Sequence, residues 1–296
     1  MDKSLLIFGE VLIDKFDTGI ERRGGAPFNV AWHLNGFKEN PLFISRVGKD
    51  APGQKLISDM ESWNMPLTGI QKDIKRPTGY VSVKNRATNP EFEIHNNVAY
   101  DFIDPNEIDS SILNKHFDLI YHGSLALRNP LSRSAFEVIL TQSKNVPVFF
   151  DVNLRPPWWE LKTIQNYLSR TNYLKCNETE LKQLIPDVED SVETAKMLLK
   201  EFNLDAVIVT QGEKGAFICN SKDECFHAAS EINEKIINSV GAGDGFSAVM
   251  ILGIIHNWPA ELALKRANQF ASTICTIDGA VPDSKKFYRS FSKQWK

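Results

Sequence analysis

The chain has 296 residues, 42% of them hydrophobic and 24% charged, with a formal net charge of −3. This balance describes a globular protein long enough to bury a sizeable core, and its interspersed charges offer no general attraction for nucleic acid or an anionic membrane. The first apolar run, Leu5-Leu6-Ile7-Phe8, is broken at Gly9-Glu10, too early for a signal peptide, and no run approaches the roughly 20 residues of a membrane span. Four scattered cysteines, Cys176, Cys219, Cys225 and Cys275, show neither a Cys-x-x-Cys pair nor zinc-like spacing. As thiols they suit a reducing compartment, so a cytoplasmic protein is expected.

In chain order, Leu5-Leu6-Ile7-Phe8 is of buried-strand type, and the segment after it ends in Asp14. A carboxylate just past a strand is well placed for binding, because ligands of open α/β sheets sit outside the carboxyl ends of their strands. Gly24-Gly25-Ala26-Pro27-Phe28-Asn29 opens a helical pattern that runs to Gly36. The glycine pair lets a substrate approach backbone, Pro27 suits a first helical turn, and Asn29, read as exposed, offers a donor and an acceptor to hydroxyls. Residues 42–48 are strand-like and Lys49-Asp50-Ala51-Pro52-Gly53 leads into the next helix. Between about 70 and 100 the short alternating segments Tyr80-Val81-Ser82-Val83 and Phe92-Glu93-Ile94 read as small antiparallel strands, either a lid over a reactive centre or a surface hairpin. Tyr80 and Phe92 read as exposed apolar residues, which leaves both a monomer and a homodimer open.

From there the alternation is regular. Strands at 117–121, 146–151, 173–174 and 206–210 alternate with helices at 130–143, 158–169 and 192–202, which predicts a mostly parallel sheet covered on both faces. Strand-like pieces at 216–219 and 225–227 precede residues 236–255, and 260–277 reads as a last long helix. With no repeat, low-complexity stretch or linker, residues 1–296 read as one domain with a small β insertion.

Polar residues recur where strands end. Asp151-Val152-Asn153-Leu154-Arg155 follows an apolar strand, and its Arg fork suits hydroxyl or phosphoryl oxygens. Lys175-Cys176-Asn177-Glu178-Thr179-Glu180 repeats the arrangement, although Asn177 or Thr179 could simply cap a helix. Thr210-Gln211-Gly212-Glu213-Lys214-Gly215 does so again, unless its glycines only make a hairpin. Residues 236–255 read as strand, glycine turn, helix. The backbone of Gly241, Ala242 and Gly243 can come close to an anion, which the positive end of the helix dipole also favours. Asp244 in the first helical turn would repel that anion unless it takes a proton from the attacking group; the plainer alternative is a carboxylate that favours the dipole. Phe246 stands where a dinucleotide fingerprint needs its third glycine, and no Gly-x-x-x-x-Gly-Lys-Ser/Thr occurs, so a nicotinamide site and a P-loop are both set aside.

The set Gly24-Gly25-Ala26…Asn29, Asp151-x-Asn153-x-Arg155, Lys175-x-Asn177-x-x-Glu180, Thr210-x-Gly212-x-x-Gly215 and Gly241-Ala242-Gly243-Asp244 resembles, over essentially the whole chain, the ribokinase (PfkB) family of sugar kinases. Gly9-Glu10-x-Leu12-x-Asp14, Ile44-Ser45-Arg46-Val47-Gly48 and Val98-Ala99-Tyr100-Asp101 are most similar to bacterial fructokinases. The resemblance implies a ribokinase-like three-layer αβα fold with a mostly parallel central sheet. It also implies a small β lid inserted at about 72–100, with a contribution from about 12–24. It implies transfer of the γ-phosphoryl of MgATP to a primary sugar hydroxyl, D-fructose giving fructose 6-phosphate. 2-Keto-3-deoxygluconate, ribose or a nucleoside are alternative acceptors, and a non-catalytic sugar- or nucleotide-binding regulator is the alternative from another class.

By the same resemblance Asp244 is the base, Gly241, Ala242 and Gly243 hold the transferring phosphoryl, and Arg155 bridges sugar and phosphoryl. Asp14, Gly24, Gly25, Asn29 and Asn153 bind the sugar. Asn177, Thr210, Gly212, Gly215 and Asn268 bind the nucleotide, and Glu180 acts on Mg²⁺ through water. Asn238-Ser239 stand where the family usually has Asp-Thr before the glycine turn, so a carboxylate associated with a monovalent cation has become an amide, and weak or absent K⁺ activation is expected.

Overall fold

The structure, a computed structural model, describes residues 3–84, 91–230 and 236–295. Its backbone falls into two compact units, Asp2–Phe117 with Leu125–Asn145, and Asp118–Ser124 with Val146–Lys296.

In the first unit the elements are β1 (Leu5–Phe8), β2 (Leu12–Phe16), β3 (Glu21–Gly24), α1 (Ala26–Gly36), β4 (Leu42–Gly48), α2 (Ala51–Ser62), β5 (Ile70–Asp73), β6 (Gly79–Lys84), β7 (Glu91–Ile94), α3 (Ser110–Leu113) and α4 (Pro130–Gln142). β1 pairs parallel with β4 and β4 with β5. All four residues of β1 are buried, as a parallel strand covered on both faces requires. Every residue of α1 is buried, the polar Asn29, His33 and Asn35 among them. α2 starts where Asp50 accepts from the Gly53 N–H at 2.9 Å, and the same carboxylate accepts from the Thr78 N–H at 2.8 Å.

Residues 12–24 supply β2 and β3 to a four-stranded sheet in the order β3-β2-β6-β7. Its outer pairs are antiparallel hairpin partners, but β2 and β6 run parallel, which departs from the all-antiparallel expectation. Residues 85–90 of the expected insertion lie outside the described residues. Phe92 is exposed, at 55%, whereas Tyr80 is only half-exposed because it stacks on His95 with ring centroids 4.1 Å apart.

In the second unit the elements are β8 (Leu119–His122), β9 (Val148–Asp151), α5 (Leu161–Leu168), β10 (Tyr173–Asn177), α6 (Glu178–Leu184), α7 (Ser191–Phe202), β11 (Ala206–Thr210), β12 (Ala216–Asn220), β13 (Cys225–Ala228), α8 (Ala242–Ile255), α9 (Ala260–Ile274) and α10 (Lys286–Gln294). β8, β9, β10 and β11 pair in parallel in that order, each joined to the next through helical or looped chain. The short connections after β11 and β12 reverse the chain, so those pairs are antiparallel.

Two expectations are corrected here. Residues 236–240 form no strand: Ile236, Ile237 and Val240 are 58%, 60% and 44% exposed, and the Ile237 N–H is satisfied by the Cys275 carbonyl at the end of α9 at 2.8 Å. An apolar run of this length is compatible with a strand, but here it has no strand partner. The cysteines are not four thiols either, because Cys219 and Cys225, directly opposite each other on β12 and β13 with Cα atoms 4.2 Å apart, form a disulfide. Cys176 and Cys275 are free. Among the described residues no helix is long and apolar enough to cross a membrane.

Candidate active site

The glycine turn is built by local necessity. Gly241 has φ +79°, and a side chain there would run into the backbone of Ala280, so no other residue fits. α8 begins immediately after it without a side-chain cap. The Gly245 N–H closes the first helical bond onto the Gly241 carbonyl at 2.8 Å, and the Ala242 N–H reaches the Ser239 carbonyl at 3.3 Å. Of the three expected donors, those of Gly241 and Gly243 carry no hydrogen bond among the described residues, and the positive helix end adds to them. Asp244 sits in that first turn. From Gly245 to Gly253 α8 is buried throughout, so the turn stands on a core helix that cannot easily shift.

Behind the turn lies a charged cluster that ties three elements together. Lys175 of β10 donates to both carboxylate oxygens of Asp151 at the end of β9, at 3.0 and 3.1 Å, and Ser247 of α8 donates to the same carboxylate at 2.8 Å. Burial alone would lower the affinity of Lys175 for its proton. The charges of Asp151 and Glu180, the hydrogen bonds to Asp151 and the charge of Asp244 more than offset it, so the ammonium is held above the ordinary lysine range.

Asn177 ends β10 and caps α6. Its side chain accepts from the Glu180 N–H at 2.8 Å, while Glu180 accepts from the Asn177 N–H at 2.9 Å with one oxygen and from the Leu154 N–H at 2.8 Å with the other. The capping alternative for Asn177 therefore holds. Burial raises the Glu180 carboxyl above its ordinary range; Lys175 opposes this, Asp151 adds to it, and the two backbone donors act against it. Among the described residues no three His, Cys, Asp or Glu side chains group as a metal cage. Each Glu180 oxygen accepts one backbone N–H, which leaves further lone pairs on the carboxylate for a water or a cation.

A cavity of about 620 Å³ opens beside the turn. Of the residues singled out by sequence, Thr210, Gly212, Gly215, Asn238, Ser239, Ala242, Gly243 and Asn268 line it together. Gly215, at φ +102°, packs so closely on Ala228 and Ser230 that a side chain would collide with them, and Asn268 anchors the same segment by donating to the Ala228 carbonyl at 2.7 Å. Gly241, Asn177 and Glu180 are not on its wall. Sequence reasoning assigned no site role to Glu213, Ser230, Ile236, Phe246, Ala271, Ser272 and Cys275, which complete the lining. A signal for part of it existed: Asn268, Ala271, Ser272 and Cys275 follow an i, i+3, i+4, i+7 pattern of small residues along α9. Asn153, in a left-handed conformation at φ +39°, and the exposed Arg155 follow β9.

The remaining residues belong to the first unit. An atom added as Cβ on Gly24 would lie 2.7 Å from Asp14 Oδ2, and one on Gly25 would lie 2.6 Å from the Glu10 carbonyl, so both glycines make room for neighbours. Gly25 precedes α1, and its carbonyl accepts the Asn29 N–H at 2.9 Å. Asn29 is only 4% exposed, which corrects the expectation of a solvent-facing side chain: it points from a helix whose every residue is buried.

Parallel strands with helices, a small four-stranded sheet and a glycine turn opening onto a deep pocket define a protein of the ribokinase-like α/β class. The model of the pfkB family of carbohydrate kinases matches residues 5–286, and the chain belongs to that family. It is 29% identical over 261 residues to the sugar kinase PH1459 of Pyrococcus horikoshii, covering 86% of this chain and 79% of that protein. It is 23% identical to a 5-dehydro-2-deoxygluconokinase of Listeria monocytogenes, over 85% of this chain and 80% of that one. Among solved structures, a fructokinase of Xylella fastidiosa with bound ATP superposes with a TM-score of 0.85 at 18% identity, covering 99% of this chain and 100% of the other.

Proposed function

We propose that this carbohydrate kinase transfers the γ-phosphoryl of MgATP to a primary hydroxyl of D-fructose, giving fructose 6-phosphate. The observation that carries the reading is the uncapped glycine turn at the head of a buried helix, with Asp244 in its first turn and a nucleotide-sized pocket beside it. Phosphoryl transfer demands positioning and charge neutralisation more than covalent chemistry, and backbone donors fixed on a core helix supply both. Asp244 takes the hydroxyl proton, Gly241, Ala242 and Gly243 hold the γ-phosphoryl, and Arg155 bridges it to the sugar. For Ala242 this requires giving up its contact to Ser239, the longest of the turn's hydrogen bonds.

Asp14, Gly24, Gly25, Asn29 and Asn153 bind the sugar hydroxyls. Thr210, Gly212, Gly215 and Asn268 bind the nucleotide, Asn177 orients the neighbouring Glu180, and Glu180 meets the Mg²⁺ of the nucleotide through water. The four-stranded sheet serves the single kinase domain as its lid, and the enzyme works in the cytoplasm as a monomer or homodimer.

Fructose is favoured by the Gly-Glu-x-Leu-x-Asp, Gly-Gly-Ala-Pro-x-Asn and Val-Ala-Tyr-Asp segments, which are most like those of bacterial fructokinases. A keto-sugar acid is the second reading, since relatives at comparable coverage include a 5-dehydro-2-deoxygluconokinase. A coupled ADP-release assay over fructose, 2-keto-3-deoxygluconate, 5-dehydro-2-deoxygluconate, ribose and nucleosides decides between them. Preference for any acceptor other than a ketohexose would sink the fructose assignment, and silence with every acceptor would leave the non-catalytic regulator.

A further inference from the structure

Lys175 is 7% exposed, and Asp151 is its hydrogen-bonding partner among the described residues. A buried ion pair is weak evidence for stability, because replacing both partners with apolar groups is often neutral or better, so this one needs another reason to exist. Its position supplies one. An atom placed as Cβ on Gly243 would lie 3.4 Å from the Lys175 Nζ, so the ammonium sits directly against the backbone of the glycine turn. Ser247, one helical turn beyond Gly243 on α8, donates to Asp151 Oδ2, which Lys175 also reaches, and so fixes the pair to the same helix.

The charge balance is the second observation. Asp151, Glu180 and Asp244 are the carboxylates whose charges act on Lys175. Asp244 in the turn, with Asp151 and Glu180 close to Lys175, would disfavour a polyphosphate there, and the ammonium against Gly243 offsets part of that repulsion. At the low effective dielectric of a buried site, one charge a few ångströms away outweighs several hydrogen bonds made in water.

We propose that Lys175 is a positioning residue of the phosphoryl site: its ammonium, fixed on Asp151 behind Gly243, offsets the surrounding carboxylates so that the turn accepts the γ-phosphoryl. The inference rests on the reading of the glycine turn as the phosphoryl site. It adds a cation that touches neither sugar nor nucleotide and acts through the backbone of Gly243.

The test compares wild type with Lys175→Met and with the double variant Lys175→Met/Asp151→Asn, which avoids stranding a buried carboxylate. Binding of MgADP and of the non-hydrolysable imido analogue of MgATP is measured by calorimetry, alongside steady-state kinetics and thermal melting. Lys175→Met is expected to bind MgADP like wild type and to lose on the order of 10-fold in preference for the triphosphate; the double variant, which loses one charge of each sign, is expected to lose a smaller part of it, because the ammonium lies against Gly243 and the carboxylate behind it. Lys175→Met should lose about 10²-fold in kcat with the sugar KM little changed, a loss comparable with removing one oxyanion-hole donor, and the double variant should lose less than that. If Lys175→Met alone fails to fold, the double variant decides. A folded double variant with wild-type triphosphate preference and kcat would overturn the proposal, and one that cannot fold would assign the pair to the core and overturn it as well. Should wild type bind both nucleotides yet phosphorylate no sugar, while the variants still lose the triphosphate preference, the acceptor reading fails and the role of Lys175 stands. Should wild type bind neither nucleotide, both fail.

Discussion

Asn177 and Glu180 hold each other across the head of α6, each side chain accepting the other's backbone N–H, and the second Glu180 oxygen reaches over to the Leu154 N–H beyond β9. One carboxylate thus fixes the spacing of two strand ends that both carry candidate site residues. Asn177→Ala removes a single cap contact and should cost about 1 kcal/mol. Glu180→Ala leaves two N–H groups without their acceptor and should cost more, on the order of 2 kcal/mol or above. Urea unfolding of both variants checks the order; equal losses would mean that the Leu154 contact contributes nothing.

His122 gives the fold a pH signature. It is buried, stacked on Phe150 at 4.3 Å, and the loss of hydration holds its pKa down at about 3 against the opposing pull of the Gly123 carbonyl. Between that value and the unfolded value of 6.5 the unfolded chain binds a proton that the folded one refuses. The stabilisation is therefore complete above pH 6.5 and is lost progressively as pH falls. At pH 5 the loss from this residue should be about 2 kcal/mol. His122→Phe keeps the ring stack and removes the titration, so its unfolding free energy should change less between pH 7 and pH 5 than that of wild type. Identical pH dependence in the two proteins would remove His122 as the cause.

Asn238 bears on cation dependence. Its side-chain oxygen accepts the Val240 N–H at 3.0 Å and its amide donates to the Ile277 carbonyl at 3.1 Å, so the group that replaces the family's usual carboxylate is spent on closing a turn. With no charge and an engaged oxygen it makes a poor ligand for a monovalent ion. Initial rates should be the same in K⁺ and in a large inert cation, and Asn238→Asp should introduce a response to K⁺. A several-fold rise when K⁺ is added to wild type would contradict this.

The αβ alternation was legible because buried parallel strands such as Val148-Phe149-Phe150 and Val207-Ile208-Val209 are apolar runs too short to be helices, with helical patterns between them. The glycines were legible for a related reason: Gly215 and Gly241 occupy conformations that other residues rarely adopt. What stayed hidden depends on tertiary placement. Ile236-Ile237 looks the same in sequence whether it joins a sheet or lies along a pocket mouth, and only its bond to Cys275 tells the two apart. The pairing of Cys219 with Cys225 follows from strand register, which a one-residue slip would have destroyed. Asn29 read as exposed because a polar residue in a helix usually is, but α1 is surrounded on all sides.

Catalysis by Asp244 is the centre of the account. ADP release from MgATP in the presence of D-fructose should be rapid for wild type. Asp244→Asn should lower kcat by on the order of 10²-fold or more while leaving sugar binding intact, because only the proton acceptor is lost. Turnover by Asp244→Asn equal to that of wild type would contradict the account.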